Sequence, residues 1–540
     1  MHGFPDRRAA CNGHALVVDC AGAPDGDRIA GALRCIGLLS VDRLSLPGTE
    51  GWPGEGRWTL AVLTPGAARC IGPAALDWLL ARCGCVHVDE VGARPGEAGI
   101  RLGLEPATCP APEQARICPG PVADSLQHLL SGYVDPVVVG LMPIRYDDRP
   151  CGEGGGDAER SGEIPLHEGS LAWMRHDGDG GGTCVASRGR LLVSRLPLLR
   201  ALVDGFRVPE CDAPVRAFGG ARNREALEVG LLHVWSAIAA SGGLPLITRE
   251  PWPEGIPHVL SLRLDYDRPV PDAQWSAFRE WQRSIGLRAS WYFLGTTVDP
   301  PRIAALASQG DEVGLHYRRI EVHGARDLAA VRGAVQSGGG TLVGATCHGG
   351  NFQAARDLRW LAEAGIGYSE QLGRCSWHPY HGLMPDGSWS TLPLTARHVS
   401  VDVSLTPPRA DLSYMLRTLT ARVRLRGHTV VMNHPDINFD ETSDAVRRCT
   451  VPGTAYWTQA EAMRWWGEAH SRATSCCERS PDGASRFAQD HAAPHQPVIR
   501  IWARVDCADG ASEAVAAGTH TLVARDRFGF RVAPAHGGAP

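Results

Sequence analysis

The segment Leu260-Ser-Leu-Arg-Leu-Asp-Tyr-Asp-Arg-Pro269 ends an apolar run in two carboxylates, Asp265 and Asp267. The alternation predicts a strand, and Pro269 stops it. Residues two apart on a strand share one face, so both carboxylates can serve one site. Charge at the end of a buried strand is costly unless a metal, a proton or a substrate uses it. The alternative is an exposed Asp-Tyr-Asp turn.

The chain around this segment alternates between predicted strands and helices. We predict strands at 259–266, 288–294, 311–316, 341–347, 367–369, 399–403 and 428–433. Predicted helices follow at 272–285, 300–308, 326–336, 352–364 and 412–425. About seven β/α units of this kind close into a barrel more readily than they build an open sheet. We therefore expect an α/β fold with a (β/α)7-type distorted barrel over 257–468.

Four of these strands end in side chains that can bind a metal or move a proton. They end at Asp265 and Asp267, at His316, at His348 and at His434. A lone histidine at a strand end is usually structural, but barrel chemistry is carried where strands end. Carboxylate and imidazole ligands suit zinc or another borderline divalent ion.

These motifs resemble those of the polysaccharide deacetylases with NodB-type domains, over about 257–466 and as a divergent branch. Arg263-Leu-Asp-Tyr-Asp267 resembles the Asp-x-Asp variant of the family's first motif. Gln309-Gly-Asp-Glu-Val-Gly-Leu-His316 is similar to the second, and Val430-Val-Met-Asn-His-Pro435 to the last. The resemblance implies that Asp265 is the catalytic base, Asp267 and His316 are metal ligands, and His434 is the catalytic acid.

Two positions depart from the family pattern. The second histidine of the second motif is replaced by Ile320, and the third motif has His348 where an arginine is usual. His323 lies seven residues after His316, which on a helix is about 10 Å along the axis. That distance is too long for two ligands bound at about 2 Å to one ion, so we predict His348 as the third ligand. A loop would shorten the distance, which keeps His323 as the alternative.

The implied reaction is hydrolysis of the amide of an N-acylated amino sugar. A divalent ion on Asp267, His316 and His348, expected to be zinc, would lower the pKa of a bound water and polarise the carbonyl. Asp265 would accept the water proton, and His434 would protonate the leaving amine. The alternatives are a catalytically inactive carbohydrate-binding or assembly protein, and an amidohydrolase of a small non-sugar amide.

Two further features near this site have open interpretations. Trp377 lies near His378, His381 and Trp389 in the sequence, and it can line a sugar-stacking wall or pack in the core. Asp402 orients His434 or is an ordinary strand residue.

The rest of the chain predicts two further domains. Residues 1–245 alternate strands and helices as in an α/β layer domain, loosely similar to glutamine-amidotransferase-like folds. This region lacks the Gly-x-Ser/Cys-x-Gly turn of a nucleophile elbow, so we expect a noncatalytic domain. Prolines mark a boundary near 245–257. Residues 471–494 read as a linker, and 495–540 as a small β module.

Composition limits the partners and the setting. The chain has 540 residues, 21% of them charged, and a net charge of -5. This gives no support for a nucleic-acid partner, which needs clustered Lys and Arg. No apolar run reaches the ~18 residues of a membrane span. The N-terminus lacks an apolar signal core and the 17 cysteines have no repeating frame, so we expect free thiols and a cytoplasmic location. The oligomeric state is left open.

Overall fold

The molecule is described here from a computed structural model. It describes residues 14–38, 40–46, 58–89, 96–98, 115–117, 137–139, 142–146, 164–165, 170–176, 183–194, 196–208, 224–241, 244, 246–253, 255–349, 352–370, 377–396, 398–401, 412, 415–416, 419–420, 422–437, 439–471, 477–479, 485–487, 498–501, 504–505, 514–516, 520–526 and 529–534.

A mostly parallel sheet carries the second half of the chain. Its order is Tyr380–Leu383, Trp389–Leu394, Tyr368–Glu370, Gly344–Cys347, Glu312–Tyr317, Ala289–Phe293, His258–Tyr266, His428–Asn433 and His398–Ser400. Thr454–Tyr456 pairs in parallel with His258–Tyr266, and the hairpin Tyr380–Leu383/Trp389–Leu394 is antiparallel. Every residue of the central strand His258–Tyr266 is buried, as expected for a parallel strand covered on both faces.

Helices cross over between these strands. They are Asp272–Ser284, Pro300–Ser308, Ala325–Ser337, Ala354–Glu363, Phe439–Cys449 and Gln459–Ser471, with a π-helical segment at Ile320–Gly324. The start of Pro300–Ser308 shows how sequence sets a boundary. The Asp299 side chain accepts a hydrogen bond from Arg302 N, and proline occupies the first helical position, where its missing N–H costs nothing.

The strands and helices predicted between 259 and 370 and at 428–433 are confirmed, with ends that shift by a few residues, and the strand predicted at 399–403 is described at His398–Ser400. The sequence missed the hairpin at 380–394 and the helices at 439–449 and 459–471. The helix predicted at 412–425 is described only in part. Among the described strands, the two edge strands of this sheet, Tyr380–Leu383 and His398–Ser400, are not paired with each other, so a closed barrel is not shown. The fold shown is therefore mixed α/β with parallel sheets.

A second sheet occupies the first half of the chain. Its parallel part runs Ser40–Leu46, His14–Cys20, Trp58–Leu63, Cys83–Asp89 and Leu191–Ser194. It continues through Thr183–Arg188, Ser170–His176, Ala115–Ile117, Met142–Tyr146 and Val137–Val139, with Ile164–Pro165 paired to Ser170–His176. The helices of this region are Asp25–Cys35, Pro65–Cys70, Pro73–Arg82, Leu198–Asp204 and Arg224–Ser241. The sequence missed Ser40–Leu46, because much of this edge strand is exposed and its polar residues hide the alternation.

The C-terminal region forms short strands. Cys477–Arg479, Ser485–Phe487, His520–Asp526, Gly529–Pro534 and Arg504–Val505 make one sheet, and Ile247–Arg249, Val498–Ile501 and Ala514–Ala516 make another. The segment 471–494, predicted as a linker, therefore contributes two strands. The two strands pair with each other, and Ser485–Phe487 also pairs with the distant strand His520–Asp526, a contact that local composition does not encode. No helix in the described part of the chain is long and apolar enough to cross a membrane.

The N-terminal helix Asp25–Cys35 packs on the hairpin of the second-half sheet. Trp389 lies over this helix and donates from Nε1 to the carbonyl of Asp27 at 3.3 Å. Phe206 contacts the Trp389 ring edge-on, with 5.7 Å between ring centroids. Gly31 leaves the space that the indole occupies, because a Cβ there would lie 2.1 Å from the ring. The two halves of the chain thus share this contact.

Replacing Gly31 with alanine should destabilise the protein. The new methyl group collides with the Trp389 ring, and Phe206 limits the movement of that ring. Overpacking of this kind costs about 1–3 kcal/mol, measured as a shift of the urea midpoint. Gly333→Ala is the matched control, because a Cβ at this helical position meets nothing within 4 Å. Alanine is the better helix former by roughly 0.5–1 kcal/mol, so the control should be stabilised. Equal effects of the two changes would contradict the packing described.

Candidate metal centre

The structure brings all five predicted site residues to one edge of the second-half sheet. Asp265 is the residue before last in the strand His258–Tyr266, and Asp267 directly follows this strand. His316 is the residue before last in the strand Glu312–Tyr317. His348 follows Gly344–Cys347 directly, and His434 follows His428–Asn433. Because these strands are parallel neighbours or next neighbours, their carboxyl ends meet at the same edge.

Asp267 is the centre of the cluster. Its Oδ1 lies 3.2 Å from His316 Nε2. Its Oδ2 lies 3.1 Å from His348 Nε2 and 3.2 Å from His434 Nε2. The His316 and His348 rings meet edge-on, with 5.1 Å between centroids. Three imidazole nitrogens from three strands therefore approach one carboxylate.

Electrostatic attraction within the cluster is visible in the pKa values. Burial raises the pKa of Asp267, but the contacts with His316, His348 and His434 outweigh it and hold that pKa far below its usual range. The hydrogen bond with Asp267 raises the pKa of His348, against the opposing effect of burial. These contacts favour the anionic form of Asp267, which is the form that binds a cation.

The cluster fits a divalent ion. Ligand atoms of Asp267, His316 and His348 all lie within 4.8 Å of one another. Ligands bound at about 2.0–2.1 Å to one tetrahedral ion lie about 3.3 Å apart, close to the distances from Asp267 to the imidazoles. Asp267 Oδ1 is buried, and the approach of His316 Nε2 at 3.2 Å does not have the geometry of a hydrogen bond. A buried carboxylate oxygen without a donor is costly unless a cation satisfies it.

Asp265 has a different environment, built by a residue that the sequence analysis passed over. Arg263, two residues earlier on the same face of the strand, donates from Nε to Oδ1 at 2.8 Å and from Nη2 to Oδ2 at 2.6 Å. Its Nη1 donates to Glu370 at the end of Tyr368–Glu370. All three side chains are buried.

The guanidinium sets the charge state of Asp265. Burial raises the pKa of Asp265, but the charge of Arg263, followed by that of His316, lowers it to about 2. The sequence contained an indication of the pairing of Arg263 with Asp265. A charged residue inside an apolar strand is unusual, and residues 263, 265 and 267 share one face of an ideal strand. Glu370 left no such signal, since the predicted strand ended one residue before it.

His434 is held by the turn that follows its strand. Asn433 Oδ1 accepts from His434 N at 2.9 Å, and Asn433 Nδ2 donates to Thr442 Oγ1 at 2.6 Å. These bonds tie the strand end to the helix Phe439–Cys449. The ring of His434 thereby lies against the same Asp267 oxygen as His348, at the border of the candidate ion site.

The alternative ligand His323 lies elsewhere. It belongs to the π-helical segment Ile320–Gly324, and its Nδ1 lies 3.2 Å from Arg326 Nη2. It is not in the cluster formed by Asp267, His316 and His348. The geometry therefore favours His348 as the third ligand.

The proposed sugar-stacking wall is wrong for Trp377, which is fully buried. Its ring packs against the Arg422 guanidinium, 5.3 Å from the ring centroid. His378 Nε2 lies within hydrogen-bond distance of the carbonyls of Leu425 and Arg426. A stacking surface must be open to solvent, and the Trp377 ring is in the core. Asp402, considered as a partner of His434, lies outside the described residues.

Single changes at the two histidines should separate the alternatives. His348→Ala removes an imidazole 3.1 Å from Asp267, so we expect zinc affinity to fall by more than about 100-fold. That is the upper end of the loss seen for partners that merely support a ligand. His323→Ala is the matched control and should leave zinc affinity unchanged. The measurement is competitive titration with a chromophoric chelator, and the reverse ranking would make His323 the ligand.

Comparison with known proteins finds similarity to solved structures but no match to a family model or a curated protein. Part of the chain is similar to the peptidoglycan deacetylase PdaC from Bacillus subtilis, with 12% identity over 41% of this chain and 94% of that chain and a TM-score of 0.27. The polysaccharide deacetylase Bc1974 from Bacillus cereus gives 13% identity over 36% and 85%, with a TM-score of 0.24.

A third similar structure is a mutant of BA3943, a CE4 family pseudoenzyme, with 13% identity over 38% of this chain and 67% of that chain and a TM-score of 0.27. With TM-scores this low, the likenesses do not by themselves place the chain in a family.

Proposed function

We propose that this protein is a metal-dependent hydrolase that removes an acetyl or other acyl group from the nitrogen of an amino sugar or related carbohydrate. The observation that carries the proposal is the approach of three imidazole nitrogens to Asp267 within 3.1–3.2 Å at one sheet edge. The motif resemblance to NodB-type deacetylases supports the substrate class. A distorted (β/α)7 barrel over 257–468 and a noncatalytic N-terminal domain belong to the same proposal.

The ligand set would be Asp267, His316 and His348. A divalent ion bound there supplies a Lewis acid that activates water and polarises the amide carbonyl. Two imidazoles and a carboxylate suit zinc, which commonly binds such mixed sets and leaves a position for substrate. The burial of His316, which is 2% exposed, and the half-burial of Asp267 would restrict competing water.

The proton transfers would use Asp265 and His434. Asp265 is ionised and its Oδ2 lies 3.7 Å from His316 Nε2, beside the ligands. It would accept the proton of the attacking water. His434, on the other side of Asp267, would donate a proton to the leaving nitrogen as the carbon–nitrogen bond breaks. Water adds a hydroxyl to the acyl carbon, so the products are a carboxylic acid and a free amine.

One observation favours a second candidate function. Arg263 bonds both oxygens of Asp265 and keeps its pKa near 2. A general base works best when its pKa lies near the working pH, so this carboxylate is a weak base. The weak basicity of Asp265 supports a second candidate, a metal-binding protein that binds carbohydrate without hydrolysing it.

Acetate release separates the two candidates. The purified full-length chain, loaded with zinc, cobalt or nickel, is incubated with N-acetylglucosamine oligomers, and acetate is measured with a coupled assay. We expect release that stops after chelation and returns when the metal is restored. Metal binding without release from N-acetyl sugars would favour the binding protein. Release from small non-sugar amides alone would show that the substrate is a small amide and not an amino sugar. A chain that binds no divalent ion would contradict both candidates.

A further inference from the structure

Arg263 occupies a place that the proposed reaction does not explain by itself. Its guanidinium is 2% exposed and lies between two buried carboxylates, Asp265 and Glu370. It stacks on the Tyr292 ring, 5.8 Å from the centroid. The guanidinium is thus held by residues on its own strand, on Ala289–Phe293 and on Tyr368–Glu370. A fixed guanidinium fixes the carboxylate that it binds with two hydrogen bonds.

Asp265 is close enough to the ligands to become one. Its Oδ2 lies 3.7 Å from His316 Nε2, whereas two ligands of one tetrahedral ion lie about 3.3 Å apart. A shift of about 0.4 Å would bring this oxygen to ligand spacing. Carboxylates bind divalent ions readily, so a restraint is required for Asp265 to stay outside the ligand set. The two hydrogen bonds from Arg263, at 2.8 and 2.6 Å, are that restraint.

We propose that Arg263, itself held by Glu370, is a positioning residue that keeps Asp265 out of the metal ligand set and available to the attacking water. The inference rests on the proposed function for the identity of the site as a metal centre. It adds that one arginine on the same strand separates the roles of two aspartates two residues apart. Without this arginine, Asp265 would bind the ion, tighten its binding and cease to serve the reaction.

A double-mutant cycle on zinc affinity tests the proposal with zinc alone as the probe. Arg263→Met should lower the zinc Kd by about tenfold, which corresponds to about 1.4 kcal/mol, because the freed carboxylate adds a ligand. Asp265→Asn alone should leave the Kd unchanged, since Asp265 is not a ligand in the natural protein. The double variant Arg263→Met/Asp265→Asn should return to the natural Kd, because the new ligand is gone. The cycle isolates the interaction between the two residues.

A matched arginine controls for the loss of a buried charge. Arg279 is also buried and pairs with Asp311 at 2.5 Å in the same half of the chain. Arg279→Met should reduce thermal stability and leave the zinc Kd unchanged. Arg263→Lys is the second variant in case Arg263→Met does not fold, because lysine keeps the charge and cannot form the paired bonds. Circular dichroism of each variant reports its folding.

The outcomes distinguish this inference from the proposed function. A natural protein that binds no zinc overturns the proposed metal centre and this inference with it. A zinc-binding protein in which Arg263→Met and Arg263→Lys bind zinc no more tightly overturns this inference alone. Asp265→Asn alone weakening zinc binding tenfold would make Asp265 a ligand and also overturn it. That last measurement does not depend on any arginine variant folding. The visible spectrum of the cobalt-loaded protein, unchanged in Asp265→Asn, supports the proposal independently of activity.

Discussion

Asp267→Asn is expected to abolish both metal binding and acyl-amide hydrolysis. The substitution keeps the size of the side chain and removes the negative charge toward which the three imidazoles point. Losing a partner that only supports a ligand costs about 10–100-fold in metal affinity, so losing the anionic ligand should cost more than about 100-fold. Zinc content after dialysis, measured by mass spectrometry of the metal, checks the first expectation, and acetate release checks the second.

Asp311→Asn is the matched control for this change. Asp311 is an aspartate that likewise has a cationic partner, but it is buried and precedes the strand Glu312–Tyr317, at the opposite end from His316. We expect it to lower thermal stability and to leave zinc content unchanged. Full zinc retention in Asp267→Asn would show that the cluster is an ion-pair network and not a metal centre.

Asp265→Asn is expected to lower kcat by about 10²–10⁴-fold, the usual contribution of a positioned acid or base. The amide cannot accept the proton of the attacking water, while the paired position beside Arg263 remains filled. Zinc content should stay at the natural level, because the ligands Asp267, His316 and His348 are untouched. The measurement is acetate release at saturating substrate, with the zinc content determined on the same sample.

The separation of kcat from KM makes this prediction specific. A residue that acts only in the transition state changes kcat and leaves substrate binding in place. A rise in KM with a normal kcat would instead make Asp265 a substrate contact. A kcat within tenfold of the natural value would remove Asp265 from the proton transfer, in line with the low pKa that Arg263 imposes.

Much of the site could be predicted because its signals are local. Asp265 and Asp267 are two residues apart on one strand, and each histidine ends a recognisable apolar run. The carboxyl ends of parallel strands lie at one edge of a sheet, so strand prediction placed these side chains at the same edge without giving their distances. The choice between His348 and His323 was open in the sequence, because it depends on the path of the chain after His316.

Arg263 and Glu370 show where the prediction fell short. Arg263 is visible in the sequence as a charge within an apolar strand, but its partner Glu370 lies 107 positions away and on another strand. The sequence left Trp377 open between a stacking wall and the core for a related reason, because its burial involves Arg422, a distant residue, and not its neighbours in sequence. Contacts between distant segments are chosen by the whole packing arrangement, which no local pattern records.

The amino-acid sequence by itself determined the alternating strands and helices of the second half and the side chains that end its strands. It did so because burial, periodicity and backbone stops are properties of short segments. The tertiary structure alone decided that three imidazoles approach Asp267, that an arginine restrains Asp265, and that Trp389 rests on Gly31. Those relations depend on which strands become neighbours, and sheet order is set by the competition of all segments for one core.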